Sequence, residues 1–211
     1  IIVTLATGTA TGTGQELTLT DNNGDPISSV FYQNIYNTGG SAPAALGSFN
    51  YGMTTGNNYD GLYVNYGLKA LELLSTGNDA LILTATLANN GKQSNDLSAQ
   101  ITGSGDLAFV SANDGSTVSL SNSTNTYTGA TWVRSGNLRL DADGVLGQTS
   151  LLAMSNQTNV DLNGTQQRIG GLTTATGSLL NFNDGKLSVT GGGQVDGGLV
   201  GSGELALTAG T

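Results

Sequence analysis

The stretch Ile101-Thr102-Gly103-Ser104-Gly105-Asp106-Leu107-Ala108-Phe109 aligns without a gap on Leu199-Val200-Gly201-Ser202-Gly203-Glu204-Leu205-Ala206-Leu207, 98 positions further on. Every difference but Thr102/Val200 conserves the character of the side chain. Self-similarity of this kind marks stacked architectures, in which each unit is too small to bury its own apolar face and is completed by its neighbour. The inner part of the motif, a turn glycine leading into apolar–polar–apolar alternation, recurs at Gly136-Asn137-Leu138-Arg139-Leu140 and Gly185-Lys186-Leu187-Ser188-Val189, with a relative at Asn159-Val160-Asp161-Leu162-Asn163-Gly164. The starts lie roughly 18 to 31 residues apart, the range expected when each unit is one coil with loops of varying length.

Period-two alternation puts Leu138 and Leu140 on one face and Asn137 and Arg139 on the other, so the strands are half-buried and glycine lets the chain turn between them. Stacked about 4.8 Å apart, such coils bury a continuous aliphatic column. The fold read from this pattern is all-β, a parallel β-helix or β-solenoid. A β-sandwich also has short alternating strands, but sandwich strands are not normally copies of one another.

The rest of the composition agrees. The chain has 211 residues, 37% hydrophobic and 10% charged, enough to bury a substantial core; 33 glycines punctuate it and only Pro26 and Pro43 interrupt it. The formal charge of −9 is spread over both halves, which excludes the clustered Lys and Arg that nucleic-acid binding requires. With no cysteine there is neither a disulfide scaffold nor a thiolate site. No apolar run approaches the roughly 18 residues of a membrane helix, so membrane insertion of this segment is not expected. The chain begins Ile1-Ile2-Val3-Thr4 without a basic n-region or a long apolar h-region and reads as a fragment without a signal peptide.

Two regions are distinguished within one continuous solenoid: residues 1–96, less regular and tyrosine-rich, and residues 97–211, regular coils. In the first, Gln15–Thr20 and Ala80–Thr84 read as strands and Asp21–Pro26 as a turn. Tyr32, Tyr36, Tyr51, Tyr59, Tyr63 and Tyr66 read as packing along a wider coil or loop, with a sticky aromatic surface as the alternative. Gly67–Leu74 has helix-forming residues, with Leu68, Leu71 and Leu74 able to share a helical face, but the flanking Tyr63-Val64-Asn65-Tyr66 favours strand.

Asn125-Thr126-Tyr127-Thr128-Gly129-Ala130-Thr131-Trp132-Val133-Arg134-Ser135-Gly136-Asn137-Leu138-Arg139-Leu140 closely resembles the passenger-associated strand repeat of type V autotransporters. Val160–Gly164, Ile169–Leu172 and Gly201–Leu205 continue that pattern in order, and Gly61–Leu68 and Asp96–Gly105 look like the coils that precede the repeat in diffuse-adherence-type adhesins; the resemblance covers about residues 60–211. It implies a right-handed parallel β-helix at the cell surface, on the extracellular face of a Gram-negative outer membrane or released from it. It also implies a passenger stem that supports folding during secretion and presents adhesive surface. The partners implied are the protein's own C-terminal translocator barrel, which this chain does not contain, and either a second copy or a host-surface ligand. A directly adhesive module is the alternative function.

Chemistry is sparse. Without histidine or cysteine, the Ser-His-Asp, Cys-His and usual zinc constellations are unavailable. Asp141-Ala142-Asp143, or the outward Asp161 and Asp184, are the candidate acid pairs for a polysaccharide-cleaving β-helix enzyme. A carboxylate in a turn is ordinarily a turn residue, and the basic side chains are few: Lys69, Lys92, Arg134, Arg139, Arg168 and Lys186. The chain is therefore read as a non-enzyme with no catalytic residue, no metal ligand and no cofactor. Gly191–Leu199 and Asp141–Leu152 each depart from the calcium loops they approach, the first at Gln194 and the second at Leu152. Gly103-Ser104-Gly105 and Gly201-Ser202-Gly203 lead into strands and are not phosphate loops. Trp132, on the polar phase of its strand, is the one candidate surface-contact residue.

Overall fold

Alternating strands separated by turn residues appear in the computed structural model as twenty strands and one turn of 3₁₀-helix among the described residues, which are 4–5, 30–54, 63–85, 94–111 and 115–208. The expected strand at Gln15–Thr20, the turn at Asp21–Pro26 and Tyr59 lie outside them, as do the side chains of Tyr51, Tyr63 and Tyr66. Two compact units divide the chain: residues 1–33 with 47–69, and residues 34–46 with 70–211.

The first unit draws on β1 (Thr4–Leu5), β2 (Val30–Ile35), β3 (Ala45–Thr54) and β4 (Tyr63–Leu73), in the sheet order β1-β4-β3-β2. β1 runs antiparallel to β4, with Thr4 opposite Val64. Strand wins over helix at Gly67–Leu74: Leu71 and Leu73 are buried while Leu68, Glu72 and Leu74 are exposed, the two-residue period of a pleat.

The second unit is a parallel β-helix, as the repeats imply. Its first face carries β5 (Leu81–Leu83), β8 (Leu107–Val110), β10 (Thr131–Ser135), β12 (Leu151–Met154), β15 (Gly171–Thr174) and β18 (Gly193–Val195). Its second carries β6 (Ser94–Leu97), β9 (Thr117–Leu120), β11 (Asn137–Leu140), β13 (Asn159–Asp161), β16 (Leu179–Asn181) and β19 (Gly198–Val200). On the third, β7 (Gln100–Gly103) pairs in parallel with Ala70–Leu73 of β4, and β14 (Gln166–Ile169), β17 (Gly185–Val189) and β20 (Gly203–Leu207) form a separate ladder.

Inward columns follow from register. Leu81, Leu107, Thr131, Leu152 and Leu172 stack on the first face, and Val118, Leu138, Val160 and Leu180 on the second, all almost wholly buried. Burying each Leu or Val contributes roughly 1.5–3 kcal/mol, and no coil obtains that without its neighbours.

The quoted repeat marks corners, not equivalent coils. Gly103-Ser104-Gly105 turns the chain from the third face to the first, whereas Gly201-Ser202-Gly203 turns it from the second to the third. The aligned acids accordingly differ in role: Asp106 is buried, and Glu204 forms an exposed ion pair with Lys186 at 2.8 Å. At the third-to-first corner a Cβ on Gly129 would collide with the carbonyl of Gly105, and one on Gly170 with the carbonyl of Ser150, so consecutive coils touch there backbone to backbone.

The third face is interrupted between β7 and β14. Residues 125–128 and 144–149 carry no strand, and two buried amides replace the missing ladder bonds. Asn125 accepts from the Ile101 N–H (2.8 Å) and donates to the Val145 carbonyl (2.7 Å). Gln167 donates to the Ala142 carbonyl and to Thr165 Oγ1 (both 2.8 Å) and accepts from the Leu146 N–H at 3.3 Å. The turn at residues 144–149 is thus held from both neighbouring coils, with Val145 and Leu146 sunk into the core.

Candidate functional site

The outward column of the first face runs Ile82, Ala108, Trp132, Ala153, Thr173, Gln194. Ala108 and Ala153 flank Trp132 in register and are 0% and 8% exposed although they point outward. The one large ring of this column thus stands between two small side chains. Trp132 itself is half-buried, and its indole N–H donates to Asp106 Oδ2 at 3.1 Å.

Asp106 is the hub of that region. Its Oδ2 also accepts from the Gly77 N–H (2.8 Å) and its Oδ1 from the Ala130 N–H (2.7 Å), while Arg134 donates to the Gly77 carbonyl at 2.6 Å. One buried carboxylate therefore ties the 3₁₀ turn at Gly77–Asp79 to the two coils beyond it. Asn37 clasps the same segment from another side, donating to the Ala80 carbonyl (2.8 Å) and accepting from the Ile82 N–H (3.0 Å).

The second face presents two polar columns, Thr117–Asn137–Asn159 and Ser119–Arg139–Asp161–Asn181, beside a shallow groove of about 380 Å³. Its side chains are largely spent on one another. Asn159 donates to Asn137 (2.8 Å), which donates to the Ser116 carbonyl (2.9 Å); the hydroxyls of Ser119 and Ser121 donate to Asp96 at 2.9 and 2.6 Å. Arg139 grips both oxygens of Asp141, at 2.6 and 2.8 Å, and Asn163 adds a third bond at 3.0 Å.

The Arg139 hydrogen bonds hold the Asp141 carboxyl below the usual carboxylate range, against the opposing effect of partial burial. That favours the fixed anion and disfavours a general acid. The other candidate carboxylates are engaged too: Asp161 caps its own turn, accepting from the Asn163 N–H (2.8 Å), while Asp143 and Asp184 reach the next coil, accepting from the Gln166 N–H (2.8 Å) and the Ser202 hydroxyl. In the two calcium-like stretches, Asp196 accepts from Gln194 at 2.7 Å and Asp141 is committed to Arg139. Among the described residues no three Asp or Glu converge as metal ligands.

Inside the coil, Tyr127 is fully buried. Its hydroxyl bonds Thr131 Oγ1 (2.8 Å), Thr131 bonds Thr149 Oγ1 (2.9 Å), and Thr149 donates to the Gly129 carbonyl (2.7 Å). Desolvation pushes the phenol well above its ordinary value, so it stays a neutral link in this chain.

A second groove, about 320 Å³, opens on the third face where the sheet is interrupted, lined by Gly147–Ser150, Arg168–Gly170 and Thr190. Sequence reasoning named Arg168 only among the scarce basic residues. Its neighbours Gln148 and Ser150 carry no motif that would have pointed to a groove.

These faces define a parallel β-helix whose outer polar groups mostly satisfy one another. No protein-family model matches the chain, and no solved structure matches it. Two proteins of Escherichia coli (strain K12) are similar to it. The uncharacterized protein YuaQ is 43% identical over 207 residues, 98% of this chain and 15% of YuaQ. The uncharacterized lipoprotein YdeK is 43% identical over 206 residues, 96% of this chain and 15% of YdeK. The chain spans about 15% of the length of the relatives it matches. No helix among the described residues is long and apolar enough to cross a membrane.

Proposed function

We propose that this chain is a stem segment of the passenger of a Gram-negative autotransporter adhesin, at the extracellular face of the outer membrane, where its coils support passenger folding during secretion. The observation that carries this reading is the ladder itself: consecutive coils bury each other's aliphatic columns and touch backbone to backbone at Gly129 and Gly170. Order can therefore pass from one coil to the next. Coils that fold outside the membrane cannot slide back, which gives export a direction without ATP. The lipoprotein designation of YdeK supports an envelope setting. The test is deletion of residues 97–211 from the full-length protein. Loss of surface display and of protease resistance in the upstream passenger supports the proposal; unchanged display and resistance refute it.

A second reading, direct adhesion, is favoured by the polar columns of the second face, which present Asn137 and Asn159 in one file and Asp161 and Asn181 in the next. Beads coated with the 211-residue chain should cluster under this reading, and substituting Asn137 and Asn159 by Glu should disperse them.

A further inference from the structure

We propose that the groove on the third face binds an acidic sugar, with Arg168 receiving the sugar carboxylate. Arg168 differs from the other described arginines. Arg134 is committed to the Gly77 carbonyl and Arg139 to Asp141, and Lys186 is paired with Glu204. The Arg168 side chain is exposed and, among the described residues, has no hydrogen-bond or ion-pair partner. Its column neighbours in the following coils are Ser188 and Ala206, neither able to neutralise it. Asp143, on the adjoining turn, is engaged by the Gln166 N–H.

The surroundings suit a carboxylate that carries hydroxyls. The Gln148 amide and the Ser150 hydroxyl line the same groove, are exposed and have no protein partner; the Thr190 hydroxyl donates to the Ile169 carbonyl at 3.2 Å and keeps its lone pairs for a donor. An unpaired guanidinium fork, an amide and two hydroxyls thus border one space. On the second face, by contrast, Asn137, Asn159, Arg139 and Asp141 satisfy one another. The volume of about 320 Å³ lies at the lower end of small-molecule sites, which run roughly 300–1,000 Å³. Among the described residues no aromatic ring lines the groove, so stacking of a neutral sugar is not provided for, and the charge anchors the ligand.

The groove exists because the third sheet is interrupted. The turn at residues 144–149 buries Val145 and Leu146 and leaves β14 without a strand partner on that side among the described residues. A uronic acid residue of an acidic polysaccharide meets all of these features: a carboxylate for the guanidinium fork and ring hydroxyls for Gln148, Ser150 and Thr190.

The test is an amide-resolved NMR titration of the 211-residue chain with sodium glucuronate, glucose, sodium acetate and inorganic phosphate at matched ionic strength. The expected result is saturable shifts at Gly147, Gly170 and Thr190 with glucuronate, at a Kd of about 1–10 mM, as one bidentate ion pair and two or three hydrogen bonds at an open surface supply. Glucose gives none, and acetate and phosphate bind at least tenfold more weakly. Arg168→Gln, whose spectrum outside the groove stays that of the parent, loses the shifts; Arg168→Lys, with charge but no fork, weakens binding at least fivefold. Absence of saturation by about 50 mM glucuronate overturns the proposal. So do equal shifts with glucose, equal binding by Arg168→Gln, and phosphate or acetate matching glucuronate, which reduces the groove to a general anion contact.

Discussion

Replacing Asn125 by Ala removes two hydrogen bonds that no neighbouring side chain can restore. The Ile101 N–H loses its 2.8 Å acceptor and the Val145 carbonyl its 2.7 Å donor, both at a side chain that is 6% exposed. A buried backbone group left without a partner costs about 1–3 kcal/mol, so Asn125→Ala is expected to destabilise by about 2–5 kcal/mol. At roughly 2–4 °C per kcal/mol for a chain of this size, the melting temperature falls by roughly 4–20 °C. Because the coils are stacked repeats, the loss should be local first, with the Ile101 and Thr126 amides exchanging faster than those of β16 and β17. Urea unfolding followed by circular dichroism, combined with amide hydrogen exchange, measures both. Asn125→Asp keeps the acceptor and loses the donor, and places a charge against the Val145 carbonyl, so it should recover on acidification as the carboxyl becomes a donor. A cost below about 1 kcal/mol for Asn125→Ala, or unchanged protection at Ile101, would refute the claim that this amide bridges the interrupted face.

Three further outcomes follow from the geometry. Gly129→Ala places a Cβ against the Gly105 carbonyl and should lower the urea midpoint by the equivalent of at least about 2 kcal/mol, the range for steric strain in a packed interior; a parent-like midpoint would contradict it. Asp106→Ala leaves the N–H groups of Gly77, Ala130 and Trp132 without their acceptor, so emission of Trp132, the sole tryptophan, should shift to longer wavelength with a loss of about 2–4 kcal/mol; unchanged emission would argue against the hub. Asp141 has a folded pKa below its ordinary value, so its contribution is present above about pH 4 and is lost as pH falls through the folded value. Arg139→Gln should therefore be less stable than the parent by about 0.5 kcal/mol at pH 7, the scale of a partly exposed pair, and the difference should vanish near pH 2. A difference that grows on acidification would reverse the sign of this reasoning.

The fold was legible because its signal is periodic. In Gly136-Asn137-Leu138-Arg139-Leu140 the two-residue period alone decides that Leu138 and Leu140 are buried and Asn137 and Arg139 face out, and the structure agrees. Register across coils was not legible, since coil length varies: Leu71 pairs with Ile101, thirty residues on, but Leu187 pairs with Leu205, eighteen residues on. Without register, nothing indicates that Trp132 lies between Ala108 and Ala153, or that Asp106 and Glu204, aligned in sequence, sit at different corners. Asn125 and Gln167 were missed for a related reason. Their polarity argues for the surface, and only an interruption in a neighbouring coil creates backbone groups that need them inside. Trp132 was found on its outward phase, but its place between two alanines and its bond to Asp106 depend on neighbouring coils.

In-register parallel stacking is the claim on which every site described above rests, and cysteine cross-linking tests it directly because the chain has no native cysteine. Asn159 pairs with Leu179 on the outer side of the second face, whereas Lys186 lies on the third. Neighbouring strands of a ladder bring Cα atoms to about 4.8 Å, within disulfide reach. Asn159→Cys with Leu179→Cys should oxidise rapidly and nearly completely in the folded chain, and Asn159→Cys with Lys186→Cys should remain reduced under the same conditions. Equal rates, or preferential closure of the second pair, would contradict the stacked-coil account.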